Sequence, residues 1–247
     1  MSKYKIIYSL LTILILLNSC SSIYMPNVPA TPMFKNKGEI YAAGHINTKG
    51  NLSVNLGTSI NSHIAIIANG STVNSGRNSN DYFRQQLAEA GLGYFTQFGE
   101  NKQRVLEFYA GYGVGKTKDF KQRASVYGYE ITEARDMDFN KIFIQLNFSS
   151  TRKKKINIFG DRKELNYGTV VRLSRVNMNN LSINNEIMVS TENNYFIEPL
   201  FFTRMQLMNG LQLQYTNGFN IGVKSNEYLK AGNSVFTLGV VYTFKNK

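Results

Sequence analysis

Two carboxylates, Glu107 and Glu198, fall on the same alternating face as Lys141, Arg172 and Arg204. A carboxylate pair is what acid–base hydrolysis of a glycosidic bond requires. Carboxylates interleaved with lysine and arginine also form the salt-bridge network that fills a narrow barrel, and that polar lumen is the expectation for these five residues. His45 and His63 are the only imidazoles, and neither has a carboxylate or cysteine nearby in sequence. They are read as lone strand-end or lumen residues, and no metal site is expected. Gly111-Tyr112-Gly113-Val114-Gly115-Lys116-Thr117 invites a phosphate-loop reading. Such a loop needs a glycine five positions before the glycine of Gly-Lys-Thr, where Ala110 stands, and a helix after it. Alternate glycines instead put small residues on one side of a strand. No Ser-His-Asp arrangement can be argued. No catalytic residue, cofactor or metal is expected.

The elements that carry these residues repeat with period two. Leu52, Val54, Leu56, Thr58 and Ile60 alternate with Ser53, Asn55, Gly57 and Ser59. Ile142, Ile144, Leu146 and Phe148 alternate with Lys141, Gln145 and Asn147, and Phe236, Leu238, Val240, Tyr242 and Phe244 do the same near the end. Ten strands are predicted, near 38–47, 51–60, 63–72, 88–98, 104–115, 137–149, 166–176, 195–207, 211–223 and 234–245. Pro199 counts against an uninterrupted eighth strand. Asp81 to Glu89 is read as a helical turn or two. Asn61-Ser62 and Asn209-Gly210 are two-residue hairpin turns. The connections 73–87, 116–136, 177–194 and 224–233 read as long polar loops. Ser150 to Leu165, with Arg152-Lys153-Lys154-Lys155, is long where a short turn is expected; it holds an extra strand at Ile156 to Phe159, or the count is off by a pair.

The fold class is therefore all-β: an antiparallel up-and-down barrel of about ten strands (8–12). Strands of about 10 residues suit a tilted crossing of a bilayer and exceed the usual soluble strand. Tyr94, Phe95, Tyr242 and Phe244 are read as interfacial aromatics. Short turns on one end and long loops on the other are the habit of outer-membrane barrels, with the short turns periplasmic. Alternation alone does not say which face is outside. The alternative is a lipid-tethered soluble lipocalin-like barrel binding an apolar ligand in the periplasm.

The chain opens with Lys3 and Lys5, an apolar stretch from Ile6 to Leu17, a small residue at Ser19, and the single cysteine, Cys20. This order describes a secretory signal over 1–19. Residues 20–37 contain Pro26, Pro29 and Pro32, three of four prolines. Proline fixes φ and removes a donor, so this is an extended tether ahead of a barrel domain over 38–247. One cysteine permits no internal disulfide. The formal charge is +12, from 28 Lys and Arg against 16 Asp and Glu. For an exported chain such a balance points to lipid headgroups or anionic polysaccharide, not nucleic acid. The loop Lys116, Lys118, Lys121 and Arg123 and the run Arg152 to Lys155 are the candidate contacts for lipid phosphates.

Leu17-Asn18-Ser19-Cys20 resembles the lipobox of bacterial lipoproteins. The resemblance implies that Cys20 becomes the first mature residue and carries the lipid (palmitate among its acyl chains). No acidic run follows Cys20, and that absence favours an anchor on the periplasmic side. The region 38–245 resembles Gram-negative outer-membrane barrels, and its last strand, ending on Phe244, looks like their C-terminal insertion signal, here followed by Lys245 to Lys247. Tyr24-Met25-Pro26-Asn27, Thr31-Pro32, Lys37-Gly38-Glu39 and Gly91-Leu92-Gly93-Tyr94 are similar to uncharacterised Bacteroidetes-type lipoproteins. Together these imply a lipid-anchored protein of the outer membrane, of structural, adhesion or small-solute passage type. The expected partners are outer-membrane lipid and lipopolysaccharide or another anionic glycan.

Overall fold

The structure, a computed structural model, describes residues 23–47, 50–78, 81–126, 128–158, 161–188, 191–230 and 235–244. Cys20 and the signal segment lie outside the described residues. The alternating segments pair in sequence order: β1 (Ile40–Ile46), β2 (Asn51–Ser59), β3 (Ile64–Asn78), β4 (Asp81–Phe98), β5 (Arg104–Ser125), β6 (Gly128–Ile158) and β7 (Asp161–Ile183). After the short β8 (Glu186–Ile187) come β9 (Asn193–Met208), β10 (Leu211–Gly218), the short β11 (Ile221–Gly222) and β12 (Val235–Phe244). β9 pairs with β7, and β12 pairs with both β10 and β1. The result is a closed barrel of ten antiparallel strands with two extra short ones, β8 on β7 and β11 on β9.

All ten predicted strands are present, and several run further than the pattern suggested. The polar loops after the third and fifth strands are hairpin extensions: Asn78 pairs with Asp81, and β5 and β6 stay paired out to Ser125 and Gly128. Residues 150–165 are likewise a β6–β7 hairpin, closing at Ile158 opposite Asp161, so no extra strand is inserted. Asp81 to Glu89 is not helical but belongs to β4, with Phe83, Gln85, Leu87 and Glu89 turned inward. The ninth predicted strand divides into β10 and β11. Pro199 sits at that division. Its carbonyl accepts from Phe219 N at 3.2 Å, on the side where β10 has ended. A strand residue aims its N–H and C=O the same way, so the missing donor of Pro199 falls where no ladder bond is required.

The faces are inverted relative to a soluble protein. Ile142, Ile144, Leu146 and Phe148 are 52, 44, 45 and 40% exposed, while Lys141, Gln145 and Asn147 between them are 0, 1 and 0%. The same holds round the ring, from Leu52, Val54 and Leu56 to Phe236, Leu238 and Val240. A soluble monomer rarely exposes an apolar patch above a few hundred Å². From Phe236 to Phe244 is eight steps, about 27 Å along the strand and about 20 Å after a tilt near 40°, close to the ~25 Å belt of a membrane barrel. Tyr94, Tyr242 and Phe244 lie on this outer face, whereas Phe95 points inward, its ring 5.8 Å from that of Phe34. No helix among the described residues is long and apolar enough to cross a membrane. The soluble alternative, with an apolar interior, is not the arrangement found.

Alternate glycines make room inside. A Cβ on Gly111 would fall on the Phe143 ring and the Ala90 carbonyl, and one on Gly115 on the Phe139 ring. This is what the Gly111–Gly115 stretch does: it lies on β5 with no helix following. Gly111→Val is expected to destabilise the barrel by about 1–3 kcal/mol, the usual cost of overpacking, measured by denaturant unfolding in detergent or lipid.

Candidate functional site

The inward-facing residues do not enclose an empty lumen. Residues from Ile23 to Phe34 are buried, and they run through the barrel as a strap without strand pairing. Pro26, Pro29 and Pro32 recur every third residue, the period of a polyproline II helix, which has no internal hydrogen bonds. Every strap N–H and C=O therefore needs a partner from the wall, and side-chain amides supply several. Gln85 pairs with Met25 twice, accepting from its N–H at 2.8 Å and donating to its carbonyl at 2.5 Å. Asn55 Nδ2 donates to the Val28 carbonyl at 2.8 Å. Gln145 Nε2 and Asn147 Nδ2 both donate to the Ala30 carbonyl, at 2.8 and 3.1 Å. Gln97 Nε2 donates to the Lys35 carbonyl at 2.7 Å. The proline interruptions also remove three donors that the wall would otherwise have to satisfy.

Of the five residues proposed as a lumen network, three come together. Lys141, on β6, lies 2.9 Å from Glu89 Oε1 and 3.3 Å from Glu198 Oε1. Arg172, on β7, lies 3.0 Å from Glu89 Oε2 and 4.0 Å from Glu198 Oε2. Its Nε and Nη2 also donate to Gln145 Oε1 at 3.0 and 2.7 Å. The strap joins this layer: Tyr24 OH donates to Glu198 at 3.1 Å, and its ring packs on Phe139 and Phe196. Glu107 and Arg204 stand apart, nearer the β9–β10 turn, and each holds the strap. Glu107 accepts from Phe34 N at 3.3 Å, Tyr109 OH at 3.1 Å and Asn147 Nδ2 at 3.1 Å. Arg204 donates to the Thr31 carbonyl and hydroxyl and to Gln214, with its guanidinium 5.0 Å from the centre of the Phe202 ring. Buried ion pairs persist only where geometry and added hydrogen bonds offset desolvation; here two cations, Lys141 and Arg172, face two carboxylates, Glu89 and Glu198.

Glu89 completes the layer and is not among the five; it falls where the helical turn expected over 81–89 ends and the strand predicted over 88–98 begins. The amides were not singled out as strap ligands either. Gln145, Asn147 and Asn55 were visible as a polar face, but nothing local said what they would bind.

Above and below the charged layer, apolar clusters sit among the polar side chains. Ile23 and Tyr24 cluster with Leu87, Met137, Phe139, Val176, Leu181, Phe196 and Leu229 at one end. Phe34 clusters with Tyr41, Phe95, Tyr109 and Phe143 at the other. Beyond Phe34 a vestibule of about 730 Å³ opens between β7, β9, β10 and β12; Pro32, Met33 and Arg204 form part of its lining. Glu107 and Glu198 are 0 and 4% exposed, so neither carboxylate meets solvent as a hydrolase acid would.

His45 faces the lumen over Gly239, while His63 lies at the opposite end of the barrel, stacked on Tyr94 with ring centroids 5.3 Å apart. The two cannot share a metal. No group of three or more metal-ligating side chains occurs among the described residues. The supposed basic loop is a two-stranded ribbon continuing β5 and β6 past the apolar belt. In register it pairs Lys116 with Asp138, Lys118 with Asp136, Asp119 with Arg135 and Lys121 with Glu133. The first, second and fourth pairs lie at 3.6, 3.5 and 2.8 Å. The hydrogen bond from Lys121, helped by Arg135, holds the Glu133 carboxyl below its ordinary value. All four loop cations thus stand opposite an acid, Arg123 across from Glu130, and three of them lie within ion-pair distance. The backbone of Arg152 to Lys155 lies in the β6–β7 hairpin.

No protein-family model matches the sequence, and no match is found among curated proteins. Among solved structures the chain is similar to the translocator domain of the autotransporter NalP from Neisseria meningitidis, with TM-score 0.40 and 12% identity over 84% of this chain and 87% of that one. It is also similar to the FpvAI–pyocin S2 complex (TM-score 0.24, 10% identity, 86% of this chain and 42% of that one). A third similarity is to the siderophore receptor PirA from Pseudomonas aeruginosa (TM-score 0.22, 10% identity, 85% and 41%). The barrel assignment rests on this chain's own strand pairing and on the side its apolar face takes.

Proposed function

We propose that the chain is a lipid-anchored β-barrel of the Gram-negative outer membrane, non-catalytic, whose own N-terminal strap keeps its lumen closed. Its role is structural: it fixes the β5–β6 ribbon and the β7–β9 and β10–β12 connections at one membrane face, where they are placed for adhesion. The observation that carries this reading is the pairing of an outward apolar belt with a lumen occupied by residues 23–35. A closed lumen disfavours steady solute passage. Short turns at Asn61-Ser62 and Asn209-Gly210 mark the periplasmic side, and the ribbon side faces outward. On that side Arg84 and Arg175 flank the belt on its outer surface, each beside a tyrosine ring, Tyr82 at 4.3 Å and Tyr195 at 5.8 Å. A cation next to an interfacial aromatic suits the phosphates of outer-leaflet lipid, lipopolysaccharide included.

Two measurements test the reading. The folded protein migrates faster on a gel without heating than after it and precipitates when detergent is removed; a monomer soluble without detergent overturns the membrane assignment. Cys20→Ala abolishes incorporation of radiolabelled acyl chains, and unchanged labelling refutes lipid anchoring.

A further inference from the structure

The strap has a direction, and the direction places the anchor. β1 starts at the end of the barrel that carries the Asn61-Ser62 and Asn209-Gly210 turns and the last residue of β12, Phe244, opposite Ile40. The chain reaches β1 through a turn at Gly38, whose φ is 78° and whose N–H donates to Ser59 O at 2.8 Å. Lys35, just before this turn, is held by Gln97 near the β4–β5 turn. Twelve residues earlier, Ile23 lies in the apolar cluster at the other end, with Leu87, Met137 and Leu181. Between them the contacts progress in order along the barrel: Gln85, then Asn55, then Gln145 and Asn147, then Arg204. Polyproline II rises about 3.1 Å per residue, so the nine steps from Ile23 to Pro32, ahead of the kink at Met33 (φ 62°), cover about 28 Å, the height of the ~25 Å belt of a membrane barrel. The strap therefore crosses the membrane inside the barrel. Its wall is built for it at every level, with the buried side chains of Gln85, Asn55, Gln145, Asn147 and Arg204 all aimed at its backbone.

We infer that the mature N-terminus leaves the barrel at the ribbon end, so that the acyl group on Cys20 enters the membrane leaflet on the side opposite the short turns. This rests on the lipid-anchored outer-membrane reading above. Cys20 precedes Ile23 by three residues, and three residues span at most about 11 Å, too few to return through the lumen or around the barrel. With the short turns periplasmic, the acyl group lies in the outer leaflet. That is the reverse of the periplasmic-side anchor expected from the missing acidic run. It also gives the lipid a mechanical purpose in a protein already held by its apolar belt. An acyl chain buried in one leaflet stops the strap from sliding out toward the other side, because withdrawal would drag the chain through the charged Glu89–Lys141–Arg172–Glu198 layer.

Acylated Cys20 leaves no free thiol, because the chain has one cysteine. Single substitutions therefore report sidedness with a membrane-impermeant maleimide applied to intact cells and to cells with permeabilised outer membranes. Ser22→Cys probes the strap exit and leaves residues 17–20 unchanged. Val126→Cys marks the ribbon tip, and Asn209→Cys marks a short turn, with Ser62→Cys as a second reporter there should Asn209→Cys fail to show heat-modifiable migration. The expected result is that Ser22→Cys labels in intact cells as Val126→Cys does, while the turn reporters label only after permeabilisation. Ser22→Cys labelling with the turn reporters instead overturns the inference. If the ribbon and turn reporters exchange behaviour and Ser22→Cys still follows the ribbon, the periplasmic assignment of the short turns fails and the threaded path stands. Labelling of the unsubstituted chain shows a free Cys20 and sinks the acyl anchor.

Discussion

Barrels lacking residues 23–35 are expected to conduct ions across a planar bilayer, and the full chain is expected not to. Eight strands enclose an interior that side chains alone fill, and diameter grows roughly linearly with strand number. Ten strands leave a space that the wall does not close by itself, and here that space holds one extended segment. Removing the strap takes Tyr24, Met25, Val28, Thr31 and Phe34 from the axis. It also strips Gln85, Asn55, Gln145, Asn147 and Arg204 of the backbone groups they bind. Those polar groups turn to water, and buried water in a polar, roomy lumen forms a continuous path. The apolar belt and the strand pairing are untouched, so the shortened chain still shows heat-modifiable migration. Adding a peptide of residues 23–35 in excess closes the current again. A folded, heat-modifiable deletion variant with no conductance shows that the wall seals the lumen unaided, and the strap is then not the plug.

The second large effect belongs to the charged layer. Arg172→Met is expected to destabilise the barrel by about 3–5 kcal/mol, the range for breaking a buried ion pair and leaving its partner behind. Arg172 is fully buried, contacts both carboxylates of the layer and directs two donors to Gln145. Without it Glu89 and Glu198 share Lys141 alone. Adding Glu198→Gln removes the surplus charge, so the double variant recovers part of the loss, and the cycle of single and double variants isolates the coupling. Guanidinium unfolding of protein refolded into lipid measures both. An Arg172→Met variant within about 0.5 kcal/mol of the parent, the size of an ordinary surface substitution, excludes the layer as a stabilising element.

Strand number and the division into an apolar and a polar face are legible because a bilayer and a polar lumen impose period two on every crossing strand; which face is outside is not. Leu52 to Ile60 and Phe236 to Phe244 each carry that alternation within ten residues. The extended hairpins were not legible. Beyond the belt both faces are polar, so Lys116 to Arg123 looks like a loop until Asp138, Asp136 and Glu133 are brought opposite. The same blurring at Asp81 to Glu89, where outward Arg84 and Gln86 alternate with inward Gln85 and Glu89, made a strand look helical. The strap was readable as extended from its prolines. Its place inside the barrel was not, because its partners are far away in sequence: Asn55 from Val28 by 27 residues, Gln145 from Ala30 by 115, Glu198 from Tyr24 by 174.

The seam between β1 and β12, Ile40 opposite Phe244 through Ile46 opposite Leu238, joins the first strand of the chain to its last. The strap immediately precedes β1, so the sheet must curl around it before those two strands meet. Closure is thus a stitching step, and what lies inside at that moment stays inside. Because so distant a pairing forms late, sideways release of the enclosed segment waits on the parting of β1 and β12, and the acyl anchor guards the other route, along the axis.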